Sequence, residues 1–117
     1  MSARPRAGLR VLELTHTVMG PTAGLLFADL GADVVKVEPA PAGDHTRGLG
    51  GFGAGFFSAF NRNKRSLALD LKRPEGQAVL HRLAATVDVV IENYGPGTME
   101  RLSRCADTEG ESRPWLR

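Results

Sequence analysis

Short apolar runs alternating with helical repeats predict an α/β fold built on an open, mostly parallel sheet with flanking helices. Three observations carry this reading. Four runs, around residues 9–14, 33–38, 66–71 and 87–92, are brief and rich in Val, Ile and Leu. Between them lie stretches with apolar residues at helical spacing, around 21–30 and 74–84. Proline and glycine punctuate the boundaries between the two kinds of pattern.

Leu9 to Leu14 reads as a first strand, with Val11, Leu12 and Leu14 in the near-continuous pattern of a buried parallel strand. Thr15-His16-Thr17 is a polar turn, and Pro21 suits the first position of a helix. Leu25, Leu26, Ala28 and Leu30 continue that helix until Gly31 caps it. Asp33 to Glu38 is a second strand, completing a β-α-β unit whose crossover should be right-handed. Pro39 to Gly55 is a long loop of prolines and glycines, and Phe56 to Phe60 a short helix. Ser66 to Leu71 alternates as a third strand. Pro74-Glu75-Gly76 opens a helix with Val79, Leu80, Leu83 and Ala84 on one face. Val87 to Glu92 is a fourth strand, Tyr94-Gly95-Pro96-Gly97 a turn, and Thr98 a cap for a short helix through Leu102. From Ser103 to Arg117 the apolar periodicity stops, so residues 1–102 read as one domain and 103–117 as a divergent, disordered tail.

The chain has 117 residues, enough for one small domain, and Lys+Arg exceed Asp+Glu by only two. That balance gives no nucleic-acid signature. A local imbalance exists at residues 61–73, where Arg62, Lys64, Arg65, Lys72 and Arg73 face a single acid, Asp70. Such a cluster is either a solvated face or a seat for an anionic ligand. Cys105 is the single cysteine, which excludes an internal disulfide and a cysteine metal cluster. His16, His45 and His81 are far apart in sequence and lack metal-ligand spacing. No run has the roughly 20 apolar residues of a membrane span, and no signal-peptide core follows the basic first residues. A soluble, cytoplasmic protein is expected.

Gly48-Leu49-Gly50-Gly51-Phe52-Gly53 matches the dinucleotide glycine pattern literally, but it follows a proline-rich loop instead of a strand. It reads as a flexible loop. A better phosphate candidate is the first β-α turn, where helix N–H groups gather near Gly20 and Pro21. Ligands of open α/β sheets bind at the carboxyl ends of the strands. His16, Glu38 and Asn93 sit there in the predicted topology, with local capping as the plain alternative for each. Strand three differs, because its Asn61-Arg62-Asn63-Lys64-Arg65 cluster precedes it. Leu69 to Lys72 are then the positions expected beside a ligand. No serine carries a nucleophile elbow, and Cys105 has no histidine placed by any pattern.

Several blocks then occur in a set order: Gly20-Pro21, Leu30-Gly31-Ala32-Asp33-Val34-Val35-Lys36-Val37-Glu38, Gly43-Asp44-His45-Thr46-Arg47, Asn61-Arg62-Asn63-Lys64-Arg65-Ser66, Leu69-Asp70-Leu71-Lys72, and Glu92-Asn93-Tyr94-Gly95-Pro96-Gly97. Over roughly residues 8–102 this order resembles the start of a class III CoA-transferase (the CaiB/BaiF family). The resemblance implies a Rossmann-like domain holding the nucleotide end of coenzyme A. It implies CoA contacts from His16, Val18 and Met19, from Leu69, Asp70, Leu71 and Lys72, and from Asn93, Tyr94 and Gly95, with Arg101 as a phosphate-binding arginine. Val18-Met19 and Pro39 depart from the formyl-CoA transferase branch, so the resemblance does not carry that branch's acyl specificity.

The family reaction implied is CoA transfer between an acyl-CoA thioester and a carboxylic acid, through attack by an aspartate carboxylate. The resemblance puts that aspartate beyond position 117, and none of Asp29, Asp33, Asp44, Asp70, Asp88 or Asp107 matches it. No catalytic residue, metal, nucleic-acid partner or membrane partner is therefore expected in this chain. The expected substrates are an acyl-CoA and a carboxylic acid. Family members form interlocked homodimers, an arrangement not expected of so short a chain. A truncated or frameshifted product, inactive alone, is the leading expectation. A non-catalytic CoA- or nucleotide-binding module, or a fragment of an acyl-CoA racemase, is the alternative.

Overall fold

The structure, a computed structural model, describes residues 3–103. Four strands form one parallel sheet in the order β3-β2-β1-β4: β1 Arg10–Leu14, β2 Asp33–Pro39, β3 Arg65–Leu69 and β4 Val89–Glu92. The helices are α1 Met19–Asp29, α2 Phe56–Asn61, α3 Pro74–Ala84 and α4 Thr98–Ser103. This is the expected open α/β sheet. The expected 103–117 tail lies outside the described residues, apart from Ser103 at the end of α4.

Period-two alternation sorts the strand residues onto two faces. Val11 and Val34 pack with Ala28 and Ala32 on the α1 face. Leu12, Leu14 and Val37 pack with Leu80 and Ala84 on the α3 face. As an inner strand, paired with β2 and β4, β1 is buried from Val11 through Leu14, which explains its lack of polar alternation. Glu13 also points to the α1 face, opposite Lys36 in the ladder. Both are charged, and both are fully buried.

Several boundaries differ from the sequence pattern. Helix α1 begins at Met19, with Val18 as its N-cap residue, so Pro21 is third in the helix instead of first. Proline is tolerated there because first-turn N–H groups have no intrahelical partner. Strand β3 ends at Leu69, not Leu71: the Asp70 carboxylate accepts the Lys72 N–H at 3.0 Å and its carbonyl accepts the Arg73 N–H at 3.2 Å, turning the chain. Strand β4 starts at Val89, and Val87 packs on the apolar cluster under α3. Thr98 is the first residue of α4. The 39–55 loop contains two 3₁₀ turns, His45–Gly48 and Gly51–Gly53.

Candidate functional site

In the order β3-β2-β1-β4 the chain runs outward from β1 to β3 and then returns to the other side of β1. The carboxyl ends of β1 and β4 therefore flank the topological switch point, where an open parallel sheet leaves a crevice. Two turns border it: residues 15–18, between β1 and α1, and residues 93–97, between β4 and α4.

Asn93 locks these turns together. The His16 N–H donates to Asn93 Oδ1 at 3.0 Å, and Asn93 Nδ2 donates to the His16 carbonyl, also at 3.0 Å. Gly20 permits the close approach, since a Cβ there would lie 2.6 Å from the Thr15 side chain and 2.8 Å from Asn93. Thr17 adopts φ +68°, an unusual conformation for a β-branched residue, and its Oγ1 lies 3.0 Å from His16 Nδ1. The α1 N-terminus, which borders this crevice, has no side-chain cap on its first N–H groups.

Three rings gather at this rim. His16 and Tyr94 centroids are 5.6 Å apart, and His16 and His45 are 5.9 Å apart. The sequence separates the two histidines by a strand, a helix and a loop, so their spacing gave no hint of this contact. Asp44 brings His45 in: its carboxylate accepts the Thr46 N–H at 2.9 Å and the Thr46 hydroxyl at 2.8 Å, initiating the 3₁₀ turn. Burial opposes the ionised form of Asp44, but the Thr46 hydrogen bonds and Lys36 together hold its carboxyl below the usual carboxylate range. Burial, with Asp44 and Glu92 nearby, pushes the Tyr94 phenol above its ordinary value.

Of the expected site residues, His16, Val18, Asn93, Tyr94 and Gly95 lie on the two switch-point turns, and Met19 is the first residue of α1. Leu69 to Lys72 leave the carboxyl end of β3, across the sheet from β4. Leu69, Leu71 and Tyr94 nevertheless pack against the same apolar cluster, while Asp70 and Lys72 are exposed. Arg101 is exposed on α4, with its guanidinium 3.5 Å from Thr98 Oγ1.

Two further groups of polar residues are engaged within the domain. The Asn61–Arg65 cluster is paired with acids of its own domain. Arg62 and Asn63 bond Asp29, and Arg65 grips Asp33 with two hydrogen bonds at 2.9 and 2.6 Å. Lys64 turns inward, its side chain 2% exposed, to Glu13, the Pro21 carbonyl and Asn61. Each of the three cations meets a carboxylate brought close by the fold. Glu38 is likewise engaged, by Arg47 at 2.9 Å and Ser66 at 2.6 Å.

The family model for CoA-transferase family III matches residues 7–116. The chain belongs to CoA-transferase family III. The match extends beyond the 8–102 span over which the motifs carry the resemblance. Among curated relatives, a formyl-CoA:oxalate CoA-transferase of Rhodopseudomonas palustris is 46% identical over 99 residues, covering 81% of this chain and 23% of that protein. A succinate–glutarate CoA-transferase of Agrobacterium fabrum is 47% identical over 100 residues, covering 77% and 25%. A CaiB/BaiF family protein from Brucella suis superposes with a TM-score of 0.79 at 42% identity, over 86% of this chain and 29% of that one. The chain thus spans about a quarter of the length of the family III relatives it matches. Relatives named for different acids are thus matched at near-equal identity.

Proposed function

We propose that this chain forms the coenzyme A-binding part of an enzyme transferring CoA between an acyl-CoA thioester and a carboxylic acid. The observation that carries the reading is the reciprocal His16–Asn93 hydrogen-bond pair, which braces two turns across the switch point of a family III domain. Backbone groups of His16, Val18 and Met19 at the start of α1, together with Asn93, Tyr94 and Gly95, would line the coenzyme. Leu69 to Leu71 would border it at the carboxyl end of β3. Lys72, whose ammonium has no partner among the described residues, and Arg101 would meet phosphate oxygens by charge-assisted bonds.

The acyl-transfer carboxylate would come from a part of the enzyme other than residues 3–103. Every aspartate there is already engaged: Asp29 by Arg62, Asp33 by Arg65, Asp44 by Lys36 and Thr46, Asp70 by the Lys72 N–H, and Asp88 by the Arg10 N–H. This chain alone is therefore proposed to bind CoA without turning it over.

Calorimetric titration of the purified chain with CoA tests the reading. Binding is expected, weakened about tenfold by Asn93→Ala and made less salt-sensitive by Lys72→Glu or Arg101→Glu. Absence of binding at millimolar CoA, or turnover of succinyl-CoA with a carboxylic acid, would overturn it.

A further inference from the structure

We infer that Lys36 is a positioning residue for the coenzyme site, a buried ammonium that holds the His16 turn and the His45 turn in register. The inference rests on the CoA-binding reading above, because it concerns how that site is kept in shape. Lys36 leaves the middle of β2 on the α1 face with its side chain 1% exposed, so it touches no ligand itself. Its Nζ donates to the Thr15 carbonyl at 2.9 Å and lies 3.0 Å from Asp44 Oδ2. Glu13 Oε1 and Thr15 Oγ1 complete its surroundings, each at 3.4 Å.

The two nearest partners directly precede the two rim histidines: Thr15 adjoins His16, and Asp44 adjoins His45. One ammonium therefore reaches both turns, by a hydrogen bond to Thr15 and an ion pair with Asp44. The partners are themselves fixed. Asp44 Oδ1 is taken by Thr46, which leaves Oδ2 to face Lys36. The Thr15 hydroxyl donates to Glu13, which turns the Thr15 carbonyl toward Lys36. A buried ion pair is weak grounds for stability, since an apolar replacement of similar volume often serves as well. What an apolar side chain cannot do is specify where a carbonyl and a carboxylate sit relative to each other. That relation sets the 5.9 Å separation of the His16 and His45 rings at the crevice.

Asp44→Asn tests this with little change of shape. The amide oxygen can still accept from Thr46, but the amide NH₂ confronts the Lys36 ammonium and the link is lost. Backbone amide resonances and CoA affinity are read together. We expect a cooperatively melting variant in which the His16 and Thr17 amides shift and CoA affinity falls about tenfold. Wild-type CoA affinity with an unmoved His16 amide would overturn the inference. If Asp44→Asn does not fold, Thr46→Val loosens the same carboxylate more gently. The same resonances should then shift with about a threefold loss of affinity, and no change would be a refutation. If the wild-type chain binds no CoA, the coenzyme reading fails. Coupling of the two turns is then judged by the His16 amide alone, supported by its shift and overturned by its constancy.

Discussion

Gly24 on α1 stands directly over the Glu13 carboxylate of β1. A Cβ at this position would overlap Glu13 Oε2, approach its Cδ to 2.7 Å and come within 3.2 Å of Lys64 Nζ. The helix can cross the sheet here only because residue 24 has no side chain, and the space it leaves holds a buried ion cluster. Gly24→Ala should lose about 1–3 kcal/mol from overpacking, against a gain of up to about 1 kcal/mol in helix propensity. Urea unfolding decides the sign, and a variant more stable than the parent would contradict the packing.

Glu13 is completely buried between two lysines, Lys36 at 3.4 Å and Lys64 at 2.9 Å. Burial draws the Lys64 ammonium below its ordinary pKa, with Glu13 opposing that shift. Removing one partner leaves a charge uncompensated in the interior, so Lys64→Met should cost about 3–5 kcal/mol. Adding Glu13→Gln should cost less than it does alone, with a coupling of about 0.5–3 kcal/mol in a double-mutant cycle. Simple additivity would mean the pair is energetically independent.

Asp44 gives the fold a specific acid sensitivity. Its folded pKa lies below the unfolded value, so the unfolded chain binds the proton more readily. The contribution is complete above the ordinary aspartate range and disappears as pH falls through the lowered value. Asp44→Asn should therefore destabilise the fold near neutrality and flatten the acid limb of the stability profile. Equal acid slopes in the two proteins would assign that limb elsewhere, for instance to Asp29, which Asn63 and Arg62 also hold low.

Tyr94 is the single tyrosine of the chain, so phenolate absorbance reports one group. The folded protein should titrate above about 10, and the chain unfolded in urea close to 10. Because the folded phenol holds its proton longer, stability from this group declines as pH rises past the ordinary value toward the raised one. A folded midpoint at or below the unfolded one would show that Tyr94 is not covered at the rim.

Much of the fold was legible because apolar patterning is local. Val11-Leu12 and Leu14 mark a strand covered on both faces, and Leu80 with Ala84 marks the buried face of α3. The end of β3 moved because the Asp70 side chain captured backbone there. The site was half legible. Asn93 and His16 were visible as polar residues at strand ends, but the pairing of the 61–65 cations with Asp29, Asp33 and Glu13 was not. Sequence spacing cannot tell that Lys64 reaches Glu13 across 51 residues, or that Arg65 reaches Asp33.

By itself, the order of residues determined the parallel α/β sheet, its helices and the family, because periodicity and ordered motifs are properties of the chain. Which charges face solvent and which face each other was decided only by tertiary structure. Lys36, Lys64, Glu13 and Asp44 look like ordinary surface residues until the strand register and the helix crossing at Gly24 bring them together. Their meaning comes from distances in a medium of low dielectric, where pairing sets whether burial is tolerable, and no linear pattern contains those distances.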